Sequence, residues 1–246
     1  MLYLISLGLN DEKDMSIKAL ETAKKCDELF LELYTTGLNI NIKKLSKFIG
    51  KEVVELKREC LEEKSIKILN KAKSKHIGVL IGGDALTATT HISLLTDAKK
   101  LGVQTKVIHG SSIYTAVCIT GLNIYKFGRT TTLPNTETQS YPMSVYDIIY
   151  QNKKIGLHSL ILLDTGLNAK RGLNILLDME TRRKEGLITE DTGAVVCCKL
   201  GSDEEVVKYG KVKDLSKNKE IEKTPAVIII PGELHFMEKE MLEYFR

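Results

Sequence analysis

The sequence predicts an α/β fold arranged as two domains. Three observations carry that expectation: the length, the alternation of short apolar runs with longer amphipathic ones, and glycines at the ends of several apolar runs. A chain of 246 residues is long enough to bury two separate cores. Strands joined by crossover helices leave this alternation in a sequence, and it implies mostly parallel pairing. A boundary near Gly110 separates a regular strand–helix N-terminal domain, residues 1–110, from a C-terminal domain, residues 111–246, with more consecutive strands.

In chain order, the apolar runs that read as strands are 2–8, 29–33, 53–56, 77–82, 105–109, 159–164, 194–200, 206–212 and 226–230. Helical periodicity falls between them. The clearest stretches are 14–26 with Asp14 as N-cap, 62–74, 89–101 stopped by Gly102, 144–153 and 168–185. The segment 130–143 is rich in Thr, Asn, Ser and Pro without apolar periodicity, so it is expected to be a surface loop.

Composition excludes several classes. With 43% apolar and 28% charged residues and no apolar run near the roughly 20 residues that span a bilayer, the expectation is a soluble, cytoplasmic protein. The opening MLYLISLG lacks a basic leader and reads as a first strand. Five scattered cysteines form no C-x-x-C pair, which points to reduced, mostly buried thiols without disulfides or zinc. The histidines show no i, i+4 pairing, so no metal site is expected. A net charge of +4, spread among interleaved acids, gives no nucleic-acid surface.

The chemistry is expected at strand ends. Gly8 ends the first strand, Gly82-Gly83-Asp84 the fourth and Gly110 the fifth, and glycine there lets a ligand approach the backbone. Asp84 can cap the following helix or accept hydrogen bonds from a ligand, and spacing alone leaves both open. No dinucleotide fingerprint, P-loop or nucleophile elbow is present, so nicotinamide binding, a phosphate site and Ser–His109 hydrolase chemistry are disfavoured. Asp164 is expected to cap the helix after its strand, and His235 reads as an exposed histidine that can stack on or bond to a base.

Six segments in this order are similar to the diphthine synthase family within the tetrapyrrole-methylase-like methyltransferases. They are LYLISLGLND, GGDALTATTH, HGSSIYTAV, GLNIYKFG at 121–128, HSLILLD at 158–164 and PGELH at 231–235. The resemblance covers essentially the whole chain. It implies a two-domain fold with S-adenosyl-L-methionine in the interdomain cleft, S-adenosyl-L-homocysteine as product, and a homodimer. It also implies repeated methylation of a modified histidine on elongation factor 2, with an additional methyl ester in the eukaryotic branch, which the chain's start and end resemble. Carried over by position, the cofactor contacts are Leu9, Asp84, Thr87, Ser112, Ile113, Leu163, Tyr209 and His235; no catalytic residue is assigned. The chain departs from the family in reading Ala85 where proline is usual, which is expected to loosen that turn, and in a shortened segment 165–186. Small-molecule methylation on the same fold and a non-catalytic, cofactor-binding translation regulator are the alternatives.

Overall fold

The computed structural model describes residues 1–36, 38, 40–136 and 141–246. It divides into two units, Met1–Thr115 and Ala116–Arg246.

The first unit runs β1 (Leu2–Ser6), α1 (Ile17–Lys25), β2 (Glu28–Glu32), α2 (Ile42–Ile49), β3 (Val53–Glu55), α3 (Arg58–Glu62), α4 (Ser65–Ala72), β4 (Ile77–Ile81), α5 (Ile92–Lys100) and β5 (Thr105–Ile108). Its strands lie in the order β3-β2-β4-β1-β5, and every pairing is parallel. Helices cover both faces, so in the inner strands β1, β2 and β4 both alternating sets of side chains are mainly apolar and these strands read as continuous runs. Leu2, Leu4, Ile77, Val79 and Ile81 pack with residues of α4 and α5. Ile5, Leu7, Leu29, Leu31 and Leu80 pack on the other face with residues of α1 and α2. The chain therefore leaves β1 towards one face and β4 towards the other. These neighbouring strands flank the topological switch point, where open α/β sheets bind ligands.

Helix boundaries are where the expectation needs correcting. The N-cap of α1 is Ser16, whose hydroxyl accepts the Ala19 amide hydrogen, and not Asp14. Asp14 closes a short 3-10 turn and accepts the Asn10 amide hydrogen at 2.7 Å. The stretch 62–74 is split between α3 and α4, and α5 begins at Ile92 after a series of turns, so Asp84 caps no helix.

After α6 (Ile113–Ala116), the second unit contains β6 (Thr131–Leu133), α7 (Ser144–Lys154), β7 (Ser159–Leu163), α8 (Ala169–Arg183), β8 (Gly193–Cys198), β9 (Val206–Lys211), α9 (Val212–Leu215), β10 (Ala226–Ile230) and α10 (Phe236–Glu243). The sheet order is β6-β7-β10-β8-β9. Only β6–β7 is parallel, and the other three ladders are antiparallel. The expectation of mostly parallel pairing fails here because β8 and β9 are joined by a connection too short for a crossover. Residues 131–133 of the expected loop form β6 against Ile161–Leu163, while 137–140 of that loop lie outside the described residues. The core of this unit packs α7 and α8 on one sheet face, where Ala194, Val196, Cys198, Ile228 and Ile161 point.

Candidate functional site

The site begins with backbone. At the switch point Gly8 and Gly83 exchange hydrogen bonds, Gly83 N–H to Gly8 O at 2.7 Å and Gly8 N–H to Gly83 O at 3.2 Å. Both have positive φ, +89° and +67°. A Cβ on Gly8 would stand 2.4 Å from Asp14 Cβ and one on Gly110 would stand 2.7 Å from Ser6 Cβ, so packing also requires glycine there. Beside Gly83 nothing lies within 4 Å of a Cβ position, so the space on that side of its Cα is open.

Asp84 draws these strand ends together. Its Oδ1 accepts the Leu86 amide hydrogen at 3.0 Å and the Thr87 hydroxyl at 3.1 Å. Its Oδ2 accepts the Gly110 amide hydrogen at 3.2 Å and lies 2.8 Å from His109 Nδ1, which must donate to a carboxylate. Burial pushes the Asp84 carboxyl up, but the hydrogen bonds from Leu86, His109, Gly110 and Thr87 outweigh it, and the net pKa is lowered. Only 7% of Asp84 is exposed, whereas the His109 side chain is 70% exposed. Here His109 orients a carboxylate; its ring is not paired with a serine nucleophile.

Ala85 ties this turn to β1. Its amide donates to Ser6 Oγ at 2.9 Å, a bond that proline, lacking the N–H, would forfeit. Leu9, half-buried, follows Gly8; Ser112, 7% exposed, follows Gly110; Ile113 is the half-buried first residue of α6. The structure thus places Leu9, Asp84, Thr87, Ser112 and Ile113 at or just beyond the C-terminal ends of β1, β4 and β5.

The three remaining sequence-predicted residues are in the second unit, and the structure does not bring them together. Leu163 ends β7, half-buried against that unit's core. His235 follows β10, whose Ile230 pairs with Ser159 at the other end of β7, so the ladder separates Leu163 from His235. Tyr209 lies on the outer strand β9, its amide bonded to Phe245 O at 2.7 Å. Asp164 is corrected too: Asn168 caps α8, and Asp164 accepts amide hydrogens from Thr165 and Asn135.

His235 has a local role of its own. It is the N-cap of α10 in a capping box with Glu238, whose carboxylate accepts the His235 amide hydrogen at 2.8 Å. Glu238 also accepts from Asn123 N–H at 2.9 Å, Lys126 Nζ at 2.8 Å and His158 Nε2 at 3.1 Å. His158 Nδ1 in turn accepts the Gly232 amide hydrogen at 2.9 Å, which fixes its remaining hydrogen on Nε2. One buried carboxylate therefore joins the segments 121–128, 158–164 and 231–235. Burial raises the Glu238 pKa, but Lys126, the two amides and His158 override it and hold the carboxyl at about 2. For His158 burial is the larger effect, and its pKa is lowered despite Glu238.

Sequence reasoning missed Glu238, His158, and a buried Glu32–His91 pair, since their partners are far apart in the chain. The one legible signal was His235 followed three residues later by Glu238 at a helix start. The cysteines, all free, offer no nucleophile among the three that are buried: burial lifts Cys26 to about 11 and Cys198 to about 12, and raises Cys197 as well. A shallow depression of about 510 Å³ lined by Leu95, Lys99 and Val103 lies where β5 begins, at the opposite end of the strands from the glycines.

A parallel sheet covered on both faces, with glycine turns at its switch point, defines an α/β protein of the kind that binds ligands at its strand ends. Residues 1–216 match the model of the Tetrapyrrole (Corrin/Porphyrin) Methylases, and the chain belongs to that family and is a methyltransferase. Within it, the chain is 43% identical to the diphthine synthase of Methanocaldococcus jannaschii over 99% of this chain and 98% of the relative. It is 40% identical to that of Methanococcus maripaludis, over 99% and 98% respectively. The crystal structure of a diphthine synthase superposes with a TM-score of 0.90 at 35% identity, covering 99% of this chain and 95% of the other.

Proposed function

We propose that this protein acts in diphthamide biosynthesis, moving the methyl group of S-adenosyl-L-methionine onto the amino nitrogen of a modified histidine of elongation factor 2. Repetition of the transfer gives the trimethylated product. The observation that carries the reading is the 43% identity to a diphthine synthase across nearly the full length of both chains. The site's chemistry is compatible with that cofactor. Gly83, lacking a side chain, leaves open space beside its Cα at the switch point, and half-buried Leu9 and Ile113 offer apolar contacts for a nucleoside.

When bound, the cofactor supplies an electrophilic sulfonium methyl. The protein's own part is orientation. Asp84 holds the turn carrying Thr87 and fixes Gly110, so that the ends of β4 and β5 keep one geometry about the end of β1. Alignment of an amine with a methyl group can lower the barrier by about 7–11 kcal/mol, so no side chain is assigned here as catalytic base. Ser112, Leu163, Tyr209 and His235 complete the proposed contacts as the resemblance carries them. The reading extends to a cytoplasmic homodimer; among the described residues no helix is long and apolar enough to cross a membrane. A methyl ester step belongs to the eukaryotic branch, and the similar sequences above come from Methanocaldococcus and Methanococcus.

The test is mass spectrometry of elongation factor 2 bearing the unmethylated intermediate, after incubation with the protein and S-adenosyl-L-methionine. Mass is expected to rise in methyl-sized steps. An unchanged mass would overturn the reading, and methylation of a precorrin-type macrocycle instead would favour the second reading that the family match supports, a small-molecule methylase.

A further inference from the structure

Glu32 and His91 form a deeply buried titratable pair in the first unit, with 0% and 2% of their side chains exposed. The function above uses neither. Glu32 is the last residue of β2 and pairs in register with Ile81, the last residue of β4. Its Oε1 accepts the Thr35 amide hydrogen and its Oε2 the Thr35 hydroxyl, both at 2.7 Å. His91 immediately precedes α5, at the far end of the turns that begin with Gly82.

The ring of His91 has two different tasks. Nδ1 lies 3.2 Å from the carbonyl oxygen of Ala85, and since a carbonyl can only accept, Nδ1 carries the hydrogen. Nε2 faces Glu32 Oε2 at 3.5 Å, beyond good hydrogen-bond length, and has no other partner among the described residues. Ala85 is held from its other side as well, its amide by Ser6 Oγ, while its carbonyl also accepts the Thr89 hydroxyl at 3.1 Å. A completely buried residue whose N–H and C=O are both anchored to side chains of other elements has little freedom of position. It is the neighbour of Asp84. The two loops also meet at Gly82, where a Cβ would come within 2.4 Å of Thr36 Oγ1.

We infer that Glu32 and His91 are positioning residues for the Gly82–Ala88 turn: Glu32 holds the loop of Thr35 and Thr36 against Gly82, and His91 fixes the Ala85 carbonyl so that Asp84 and Thr87 stand ready for cofactor. This rests on the reading that the turn binds S-adenosyl-L-methionine. It adds that affinity is set in part from β2, a strand that carries none of the proposed contacts.

The experiment is calorimetric binding of S-adenosyl-L-homocysteine at 25 °C to the wild type and to four variants, each checked for folding by a thermal melt. His91→Gln carries its amide nitrogen at the place of Nε2 and abandons Ala85; His91→Asn carries it at the place of Nδ1 and keeps that bond. His91→Gln is expected to weaken binding roughly tenfold, the effect of one lost buried hydrogen bond, while His91→Asn stays within about threefold of wild type. Glu32→Ala should behave like His91→Gln, with Glu32→Gln restoring affinity. Should His91→Gln not fold, Ser6→Ala loosens Ala85 from the other side and is expected to weaken binding equally. Unchanged affinity in His91→Gln together with a lowered melting temperature would show a merely structural pair and overturn the inference, as would equal weakening by Asn and Gln. Wild-type protein that binds no S-adenosyl-L-homocysteine would instead overturn the cofactor reading, and this role with it.

Discussion

Asp84 illustrates how far a single residue could be read in advance. Its place after two glycines at a strand end marked it as special, yet the sequence left a helix cap and a ligand acceptor equally open. The structure shows a third role, a knot of four internal hydrogen bonds that includes the backbone of β5's far end. Gly110 and His109 are distant in sequence, so no local pattern could announce them. Asp84→Ala would orphan the Leu86 and Gly110 amides in a nearly buried place, at about 1–3 kcal/mol each if unhydrated. The expected result is a clear loss of melting temperature together with weakened S-adenosyl-L-homocysteine binding; a variant as stable as wild type in urea titration would contradict the knot.

At the level of elements, what the sequence displayed was burial. The inner strands of the first unit, β1, β2 and β4, are mainly apolar on both faces, and all five of its strands were legible within a residue or two, whereas β6, two threonines and a leucine, has too little apolar surface to stand out from its loop. Strand direction in the second sheet was not legible, because it depends on connections and not on the runs themselves. Gly172 shows a related conflict between local preference and packing. Alanine is favoured inside a helix by about 1 kcal/mol. At Gly172 of α8, though, its Cβ would stand 2.9 Å from Ile228 Cδ1 and 3.1 Å from Leu163 Cδ2. Overpacking of this kind costs about 1–3 kcal/mol, so Gly172→Ala is expected to destabilise the protein despite the better helix former. Denaturant unfolding gives the sign directly, and a gain in stability would refute the close packing of α8 on β7 and β10.

Across the whole molecule, pH dependence follows from the buried network of the second unit. Glu238 titrates near 2 in the fold against 4.5 for the unperturbed group, so its stabilisation is complete above about 4.5 and is lost as pH falls towards 2. His158, lowered from 6.5, is kept neutral by burial, and the unfolded chain takes up its proton first, so stability also declines as pH drops below 6.5. Unfolding free energies measured from pH 7 to pH 3 are expected to fall throughout for the wild type. Glu238→Gln is expected to begin lower at pH 7 and to decline less steeply below pH 4.5; parallel curves would argue against this assignment.

The same carboxylate has a consequence in time as well as in free energy. Glu238 and Asn123 are 115 residues apart, and His158 lies 80 residues before Glu238. Closing loops of that size is slow, and these contacts can form only once β7, β10 and α10 have come together. Glu238 is thus placed to act as a latch that shuts after the transition state, slowing escape from the native state while leaving the rate of reaching it almost untouched.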